Sequence, residues 1–405
     1  MKVGIFLEQN ICVGGGFQQA FSVAEQLLSH PFEDVEYVFF VFTRKNRDAL
    51  ARLGQKAVWV RFHALRFLHR GMAKALRALL GIQIPFRGYL DGLLDAHHID
   101  LAYFLTPSWY AMGLKRCPFI FTVWDQCHRD WPEFPEVYAN LEFERREFLY
   151  RSTLPKAVAI FVDSETSRQN MIARYGIDRE RVYVAPFFPA PTAEILKSRG
   201  DVREKYGLQR PFIFYPAQLW AHKNHVYILE ALDLLRNEGI LLDAVFTGTD
   251  FGNGDFLRRC VSALKLKEQI HWLGFLERED ILELYREALA LVMPTYFGPT
   301  NIPPLEAFQQ GCPVCYPDLQ GLREQVGDGA FLLNLADPES LSDVLKRILS
   351  GGAEVRKKIQ AGCDILQHCS AEHYLDVVHG VFEGYTKLLR CHSLRGFRKK
   401  HERSF

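Results

Sequence analysis

Short apolar runs alternate with helical patterns along the first half of the chain. The runs have the length and the β-branched and aromatic content of buried strands, and the segments between them have helical spacing. Strands that alternate with helices predict parallel βαβ units. The runs are KVGIFLE, VEYVFFVFT, AVWVRF, IDLAYFL, PFIFTVWD, AVAIFVDS and RVYVAPF.

A second alternating series follows a segment rich in proline and charge. Its runs are PFIFYPA, LLDAVFTG, IHWLGF, LALVMPT, PVCYP and AFLLN. Near-continuous apolar strands are typical of a parallel sheet that helices cover on both faces. The predicted fold is therefore α/β, with two Rossmann-like, doubly wound domains that face a central cleft. Ligands of such sheets bind beyond the carboxyl ends of the strands.

This pattern divides the chain into five parts. The 405 residues exceed the size of one ordinary hydrophobic core, which favours two domains. We expect the last helical part to pack back on the N-terminal domain. The parts are an N-terminal domain (1–187), a linker (188–210), a C-terminal domain (211–370), a C-terminal helix (371–390) and a basic tail (391–405).

The net charge of +1 gives the chain no overall attraction to nucleic acids or membranes. Two local clusters are basic: residues 61–90 hold six Lys or Arg and no acid in an amphipathic pattern, and residues 387–405 hold seven against one acid. These clusters fit either peripheral binding to an anionic membrane, beside a lipid-linked acceptor, or a solvated helix and a frayed tail. No aromatic recognition motif accompanies them, so a nucleic-acid partner is not expected.

The first apolar run meets an acid too early for the core of a signal peptide, and no apolar stretch approaches the length of a membrane span. We therefore expect a cytoplasmic protein, either free or peripheral at the inner face of the cell membrane. Nine cysteines, scattered from Cys12 to Cys391, indicate reduced thiols and not a disulfide framework.

Two features are interpreted as architectural. Cys312 and Cys315 have the spacing of a metal or redox pair, but no second pair completes a zinc site, and we interpret Pro313-Val314-Cys315-Tyr316 as a short buried strand. Ser164 and Gly176 have the residue types that begin and end a helix.

Three glycines follow the first predicted strand. Gly14, Gly15 and Gly16 precede a helix expected to begin near Phe17, which would bring backbone N–H groups and a positive helix end close to an anion. A plain flexible turn explains the glycines equally well, because they lack the spacing of the dinucleotide fingerprint. That missing fingerprint also makes a dehydrogenase the least favoured function.

The segment LVMPTYFGPTNIPPLEAFQQGCPV predicts a strand that ends at Pro294 and a helix whose amino end enters the cleft. Two prolines suit the first turn of that helix, Thr300 or Asn301 can cap it, and Gly311 can end it. Its free N–H groups would attract a pyrophosphate. Glu306, in the first turn, either gains from the helix dipole or accepts hydrogen bonds from two ribose hydroxyls.

The same segment resembles the E-x7-E motif of glycosyltransferase family 4, whose common form reads E-G-F-G-L-P-P-L-E-A. The resemblance extends over most of the chain. It implies that Glu306 holds the nucleotide ribose. Gly298 stands where the family has its first glutamate, so the backbone N–H groups of Thr300, Asn301 and Ile302 are expected to hold more of the donor.

A second matching segment, FIFYPAQLWAHKNH, contains the family's diphosphate-binding pair in altered form. Family members usually have an arginine and a lysine five residues apart, whereas here Gln218 replaces the arginine and Lys223 keeps its place. Because an amide brings no charge, Lys223 and the helix end must neutralise most of the leaving diphosphate, and we name Lys223 as catalytic. The further donor-binding positions that the resemblance implies are Gly15, Gly16, Asn224, Gly248 and Phe275.

The loop TVWDQCHRDWPEFPEVY follows a strand of the first half, where loops face the cleft. The family often has a His-Asp pair here. The resemblance implies that His128 or Asp125 positions the acceptor or the donor sugar, with Arg129 and Asp130 as acceptor-binding residues. The alternative is a purely structural loop that an ion pair from Arg129 to Asp130 or Glu133 holds together.

The resemblance implies a retaining, metal-independent glycosyltransferase of the GT-B fold. Such an enzyme would move a hexose or deoxyhexose, such as mannose or rhamnose, from a nucleotide-diphosphate sugar to a glycan or lipid-linked acceptor in cell-envelope polysaccharide synthesis. The donor would bind the C-terminal domain and the acceptor the N-terminal one, without a cofactor. Two alternatives stay open: a non-catalytic nucleotide-sugar binder or scaffold, suggested by Gly298 and Gln218, and a nucleotide-sugar epimerase.

Overall fold

The computed structural model describes residues 1–9, 14–60, 89–190 and 201–392. Cys12, nearly all of the basic segment 61–90, the middle of the linker and the end of the tail lie outside the described residues. Among the described helices, none is long and apolar enough to cross a membrane.

The first half of the chain forms a seven-stranded parallel sheet in the order β3-β2-β1-β4-β5-β6-β7. Neighbours pair in parallel, with Val3 opposite Tyr37 on one side of β1 and opposite Leu101 on the other. Its strands are β1 (Lys2–Leu7), β2 (Glu36–Val41), β3 (Ala57–Trp59), β4 (Leu101–Phe104), β5 (Phe119–Thr122), β6 (Ala159–Val162) and β7 (Val182–Val184).

The second half forms a six-stranded parallel sheet in the order β10-β9-β8-β11-β12-β13. Both orders change direction at the first strand of the half, which is the doubly wound topology and confirms the predicted fold class. The strands are β8 (Phe212–Pro216), β9 (Asp243–Thr247), β10 (Ile270–Gly274), β11 (Ala290–Val292), β12 (Val314–Pro317) and β13 (Ala330–Leu333).

Helices connect the strands and cover both faces of each sheet. Those of the first half are Gly14–Ser29, Arg44–Arg52, Tyr89–Ala96, Trp109–Met112, Cys127–Asp130, Pro135–Tyr138, Glu142–Thr153 and Glu165–Tyr175. Those that follow are Val202–Tyr206, His225–Asn237, Gly254–Ala263, Arg278–Glu287, Ile302–Gln309, Gln320–Val326, Glu339–Ser350, Ala353–Ile365 and Ala371–Leu389.

The first sheet buries two separate apolar faces. Along β1, Val3, Ile5 and Leu7 lie in the core beneath the helix Gly14–Ser29, whereas Phe6 lies in the opposite core. This alternation follows from the two-residue period of a strand. Near-continuous apolar sequence is therefore required wherever helices cover both faces of a sheet.

Local sequence signals set several element ends. The Ser164 side chain accepts the N–H of Ser167 at the start of the helix Glu165–Tyr175, and Gly176 ends it with φ of 64°. Cys312 and Cys315 are both buried, and Cys315 lies on β12. The caps and the buried strand predicted from sequence are thus confirmed.

The last helix returns to the first half. Ala371–Leu389 places Val378 and Phe382 in the core of the first sheet, and the Tyr374 and Tyr103 hydroxyls lie 2.6 Å apart within it. The chain therefore crosses between the halves twice, once near residues 185–210 and once before Ala371.

This docking gives a stability test in which Phe382→Ala should destabilise the first half. Phe382 is 1% exposed, and removing a buried aromatic ring costs about 3–5 kcal/mol through lost burial and the remaining cavity. Urea unfolding followed by tryptophan fluorescence measures the change. Leu388→Ala, on the same helix but 60% exposed, is the control and should change the unfolding free energy by less than about 0.5 kcal/mol. Equal effects of the two substitutions would contradict the docking.

Candidate functional site

The helix Ile302–Gln309 presents its amino end to the cleft. A proline occupies its first turn, Asn301 is the N-cap residue, and the helix is followed by Gly311 with φ of 70°. Asn301 does not cap the helix with its own side chain. Instead its Nδ2 donates to the carbonyl of Phe297 and to the hydroxyl of Tyr316, which leaves Oδ1 facing outward. The preceding strand ends at Val292, two residues before the predicted Pro294.

Lys223 meets this helix end. Its Nζ lies 3.4 Å from Asn301 Oδ1, and no carboxylate of the described residues lies within salt-bridge distance. Burial lowers the pKa of Lys223 to about 8. The Asn301 N–H is donated to Gln325 Oε1 at 2.9 Å, and the two prolines of the first helical turn have no N–H. The positive potential of this site therefore comes from Lys223 and the helix dipole, and it favours an anion.

The other predicted donor-binding positions of the second half lie in segments that follow β8, β9 and β10. Asn224, with φ of 54°, precedes the helix His225–Asn237. A Cβ at Gly248 would lie 2.7 Å from the carbonyl oxygen of Ala217, so only glycine lets these two loops approach. The Gln218 side chain accepts a hydrogen bond from Trp220 Nε1 at 3.0 Å. Phe275 is 75% exposed in the loop after β10.

Glu306 contacts the first half of the chain. Its Oε1 accepts from Gln18 Nε2 at 2.9 Å, and its Oε2 accepts from the Tyr285 hydroxyl at 3.1 Å. Burial raises the pKa of Glu306, and these two hydrogen bonds oppose that shift. Gln18 lies on the helix that begins at Gly14, so this helix starts three residues before the predicted Phe17. Gly15 and Gly16 belong to its first turn, where N–H groups have no helical partner.

Gly298 leaves no space for the glutamate that the family usually has. A Cβ there would lie 2.3 Å from Leu322 Cδ2. The backbone of Gly298 is engaged as well, because its oxygen accepts from Cys127 Sγ at 2.8 Å and its N–H donates to the same sulfur at 3.3 Å. Cys127, which the sequence analysis did not single out, thus connects the two halves at this point.

Asp125 is held in place by the helix Glu142–Thr153. Its Oδ1 accepts from Arg146 Nη1 at 2.7 Å and from the N–H of Cys127 at 3.0 Å. Burial alone would raise the pKa of Asp125, but Arg146 and this N–H hold it below its ordinary value. The carboxylate is therefore ionised at neutral pH.

The neighbouring charged residues point at different partners. His128 is fully buried, with Nε2 2.9 Å from Glu147 Oε1, and burial lowers its pKa. Arg129 donates to both oxygens of Glu147, at 2.6 and 2.5 Å. Asp130 pairs with Arg174. The predicted alternative of an ion pair from Arg129 to Asp130 or Glu133 is wrong, because Glu147, 18 residues along the chain, presents a bidentate partner.

A third connection between the halves lies beside Lys223. Glu136 Oε1 accepts the backbone N–H of His222 at 2.8 Å and also contacts its ring Nδ1. The ring of His222 stacks on Phe297 with centroids 3.9 Å apart. Burial lowers the pKa of His222 to about 4, so the neutral ring donates its Nδ1 hydrogen to the carboxylate.

Two further connections lie near β6. The Thr300 hydroxyl donates to Asp163, whose pKa burial raises to about 6. Glu324 accepts the N–H groups of Glu165 and Thr166 at 2.7 and 3.0 Å, so it caps a helix of the other half. We call the five connections the interdomain clasp: Gln18–Glu306, Cys127–Gly298, Glu136–His222, Asp163–Thr300 and Glu324–Thr166.

The comparisons with known proteins follow the same division of the chain. Residues 198–362 match the family described as Glycosyl transferases group 1, and residues 13–187 match Glycosyltransferase Family 4. The chain belongs to the group 1, family 4 glycosyltransferases. The matched residues include every strand except β1 and the segments that carry Lys223, Asn301 and Glu306.

Relatives of known function match this family member over part of their length. A D-inositol 3-phosphate glycosyltransferase of Nocardia farcinica is 25% identical over 60% of this chain and 56% of its own. The O-antigen chain mannosyltransferase RfbU of Salmonella typhimurium is 26% identical over 53% and 57%. The chain thus spans little more than half the length of these relatives.

Solved structures match over nearly the whole chain. Anabaena HepE in complex with UDP and glucose has a TM-score of 0.65 at 18% identity, covering 96% of this chain and 99% of its own. The sucrose-phosphate synthase of Thermosynechococcus elongatus has a TM-score of 0.70 at 14% identity, covering 97% and 100%. At these identities the likeness shows the fold.

The tight packing at Gly298 gives a second test. Gly298→Ala should cost about 1–3 kcal/mol of unfolding free energy, because its methyl group overlaps Leu322. The double variant Gly298→Ala/Leu322→Ala should lose less unfolding free energy than the two single variants together. The methyl group added at position 298 fills part of the cavity that Leu322→Ala leaves. Urea unfolding measures all three. Gly384→Ala, a helical glycine with nothing within 4 Å of an added Cβ, is the control and should not destabilise. Strict additivity would contradict the overlap.

Proposed function

We propose that this protein is a retaining glycosyltransferase that moves a sugar from a nucleotide-diphosphate donor to a glycan or lipid-linked acceptor in cell-envelope polysaccharide synthesis. One observation carries the proposal: Lys223 Nζ and the amino end of the helix Ile302–Gln309 converge at Asn301. A cation and the positive end of a helix at one point provide what a departing diphosphate requires. The names of the relatives, an O-antigen mannosyltransferase among them, support the polysaccharide assignment.

The surroundings of Lys223 make its charged form costly in free energy. An ionised ammonium group without a carboxylate partner is costly to bury, and the lowered pKa of Lys223 is the sign of that cost. A diphosphate beside the Nζ would favour the charged form and recover this energy. Negative charge on the leaving diphosphate is greater in the transition state than in the bound donor. The transition state would therefore recover more of this energy than the bound donor does. Lys223 is therefore proposed to contribute to catalysis as well as to binding.

Donor binding requires one connection of the clasp to change. If Glu306 holds the ribose, its oxygens must leave Gln18 and Tyr285, their partners in this structure. The donor-binding set proposed around it comprises Gly15, Gly16, Gln218, Asn224, Gly248, Phe275, Thr300, Asn301 and Ile302. Gly298 contributes backbone only, since Leu322 and Cys127 occupy the space beside it.

In the proposed mechanism the acceptor hydroxyl attacks on the face from which the nucleotide leaves, and a phosphate oxygen accepts its proton. Lys223 and the helix end stabilise the departing charge. Asp125 and His128 are proposed to position substrate, with Arg129 and Asp130 on the acceptor side. Because His128 is fully buried against Glu147, its contribution would come through the loop that it holds.

A non-catalytic nucleotide-sugar binder is the second candidate. It is motivated by two departures from the family pattern, the filled site at Gly298 and the uncharged Gln218. Both candidates bind a nucleoside diphosphate. Only the enzyme releases nucleotide from a labelled sugar donor when an acceptor is present.

Lys223→Ala tests the proposal directly. It should reduce kcat by about 100- to 1,000-fold, the usual loss when one group that stabilises a developing charge is removed. Transfer from a panel that includes UDP-glucose and GDP-mannose to octyl glycosides measures it. The unfolding free energy should not fall, because the substitution removes a buried charge. Lys267→Ala, at an exposed lysine of the same half, is the matched control and should keep full activity. Unchanged turnover in Lys223→Ala would refute the assignment.

The lowered pKa of Lys223 predicts how nucleotide binding depends on pH. The free protein loses the Lys223 proton near pH 8, so the cation is present below that pH. Affinity for UDP should therefore decline above pH 8, by at most about tenfold per pH unit, with proton uptake on binding. Titration calorimetry in buffers of different ionisation enthalpy measures both. Lys223→Arg, always charged, should flatten the decline. The same decline in Lys223→Ala would contradict this origin.

A further inference from the structure

Glu8 is a half-buried acid that the proposed mechanism does not use. It follows β1 directly, at the carboxyl edge of the first sheet. Its Oε1 is inaccessible to solvent and has no hydrogen-bond partner. Burial raises the pKa of Glu8 to about 8, and a hydrogen bond from Ser108 opposes the shift. A buried polar atom without a partner costs free energy, so its presence calls for an explanation.

The surrounding residues hold Glu8 in place. Asn46 is fully buried, and its Nδ2 donates to the carbonyl oxygens on either side of Glu8, Leu7 at 3.2 Å and Gln9 at 2.6 Å. Ser108 is fixed in turn, because its Oγ accepts the N–H of Tyr110. The carboxyl group is therefore kept in one position without any salt bridge to it among the described residues.

A second unpartnered polar atom lies along the same edge. Trp124 follows β5 by two residues, and its Nε1 is also buried without a partner. The sheet order places β4 between β1 and β5, so the loop that carries Ser108 lies between Glu8 and Trp124. The edge faces the second half, since Gln18 and Cys127, which follow the same two strands, both contact it.

We propose that Glu8, held in place by Ser108, and Trp124 form a subsite that binds hydroxyl groups of a neutral sugar acceptor. The inference rests on the proposed function and specifies the acceptor side of it. A protonated carboxyl group both donates and accepts a hydrogen bond, and an indole N–H donates one. Neighbouring sugar hydroxyls complement this set, whereas a carboxylate or phosphate on the acceptor would meet no positive charge from these three residues.

The test compares Glu8→Ala and Glu8→Gln with the wild type. Octyl mannoside and octyl glucoside serve as neutral acceptors and octyl glucuronide as the anionic one, with the donor that the wild type uses. Glu8→Ala should raise the KM for the neutral acceptors about 10- to 100-fold, the loss typical of a buried hydrogen-bonding group. Affinity for UDP should stay unchanged. Glu8→Gln should keep a KM close to the wild type, because its amide also donates and accepts.

Ser342→Ala is the control variant. It removes another buried oxygen without a partner, but on the helix Glu339–Ser350 of the second half, so the KM should not change. An effect equal to that of Glu8→Ala would mean that the loss reflects general destabilisation, and would overturn the subsite.

The outcomes separate this inference from the proposed function. Failure to bind any nucleoside diphosphate would overturn the function itself. Normal transfer with an unchanged KM in Glu8→Ala, or preference of the wild type for the glucuronide, would overturn the subsite alone. If nucleotide binds but no sugar is transferred, the subsite is tested by titrating octyl mannoside into the UDP-loaded wild type and Glu8→Ala and comparing their affinities. Weaker binding by Glu8→Ala then supports the subsite, and equal binding or none by both proteins overturns it.

Discussion

The rest of the structure depends on an ammonium group that has no carboxylate of the described residues within salt-bridge distance. Lys223 Nζ lies 3.4 Å from the amide oxygen of Asn301, at the amino end of a helix. The ammonium group and the helix end both carry positive potential, so placing them together costs free energy unless an anion binds. A site of this kind is preorganised for a dianion, since the cost is recovered only when negative charge arrives.

The interdomain clasp engages side chains that the proposed donor would also need. Its members include two carboxylates, the half-buried Glu306 and the buried Asp163, and each accepts a hydrogen bond from the opposite half. Such bonds are strong in a low dielectric but can be exchanged for substrate hydroxyls of similar geometry. Gln18 is the partner of Glu306 that a ribose would replace. Closure of the cleft and donor binding would therefore compete for the same carboxylate.

Much of the fold could be predicted from sequence because its signals are local. Apolar runs predict the strands, two prolines predict the first turn of the helix after Asn301, and Ser164 and Gly176 predict both ends of another helix. The clasp could not be predicted, since Cys127 and Gly298 are 171 residues apart and neither is charged. The same limit applies to Arg129: the ion-pair alternative names acids that are close in sequence, whereas the fold brings in Glu147, 18 residues along the chain.

The network around Glu147 also bears on how an acceptor is recognised. Glu147 accepts hydrogen bonds from His128, Arg129 and Tyr175, and these hold its pKa below the ordinary range although burial alone would raise it. The oxygens of Glu147 are thus engaged and have little hydrogen-bonding capacity left for a sugar. Buried groups that lack a hydrogen-bond partner are the ones that can gain from a ligand, because binding removes an existing cost. Among the described residues at the carboxyl edge of the first sheet, Glu8 Oε1, Trp124 Nε1 and His128 Nδ1 meet that condition, whereas Glu147 does not.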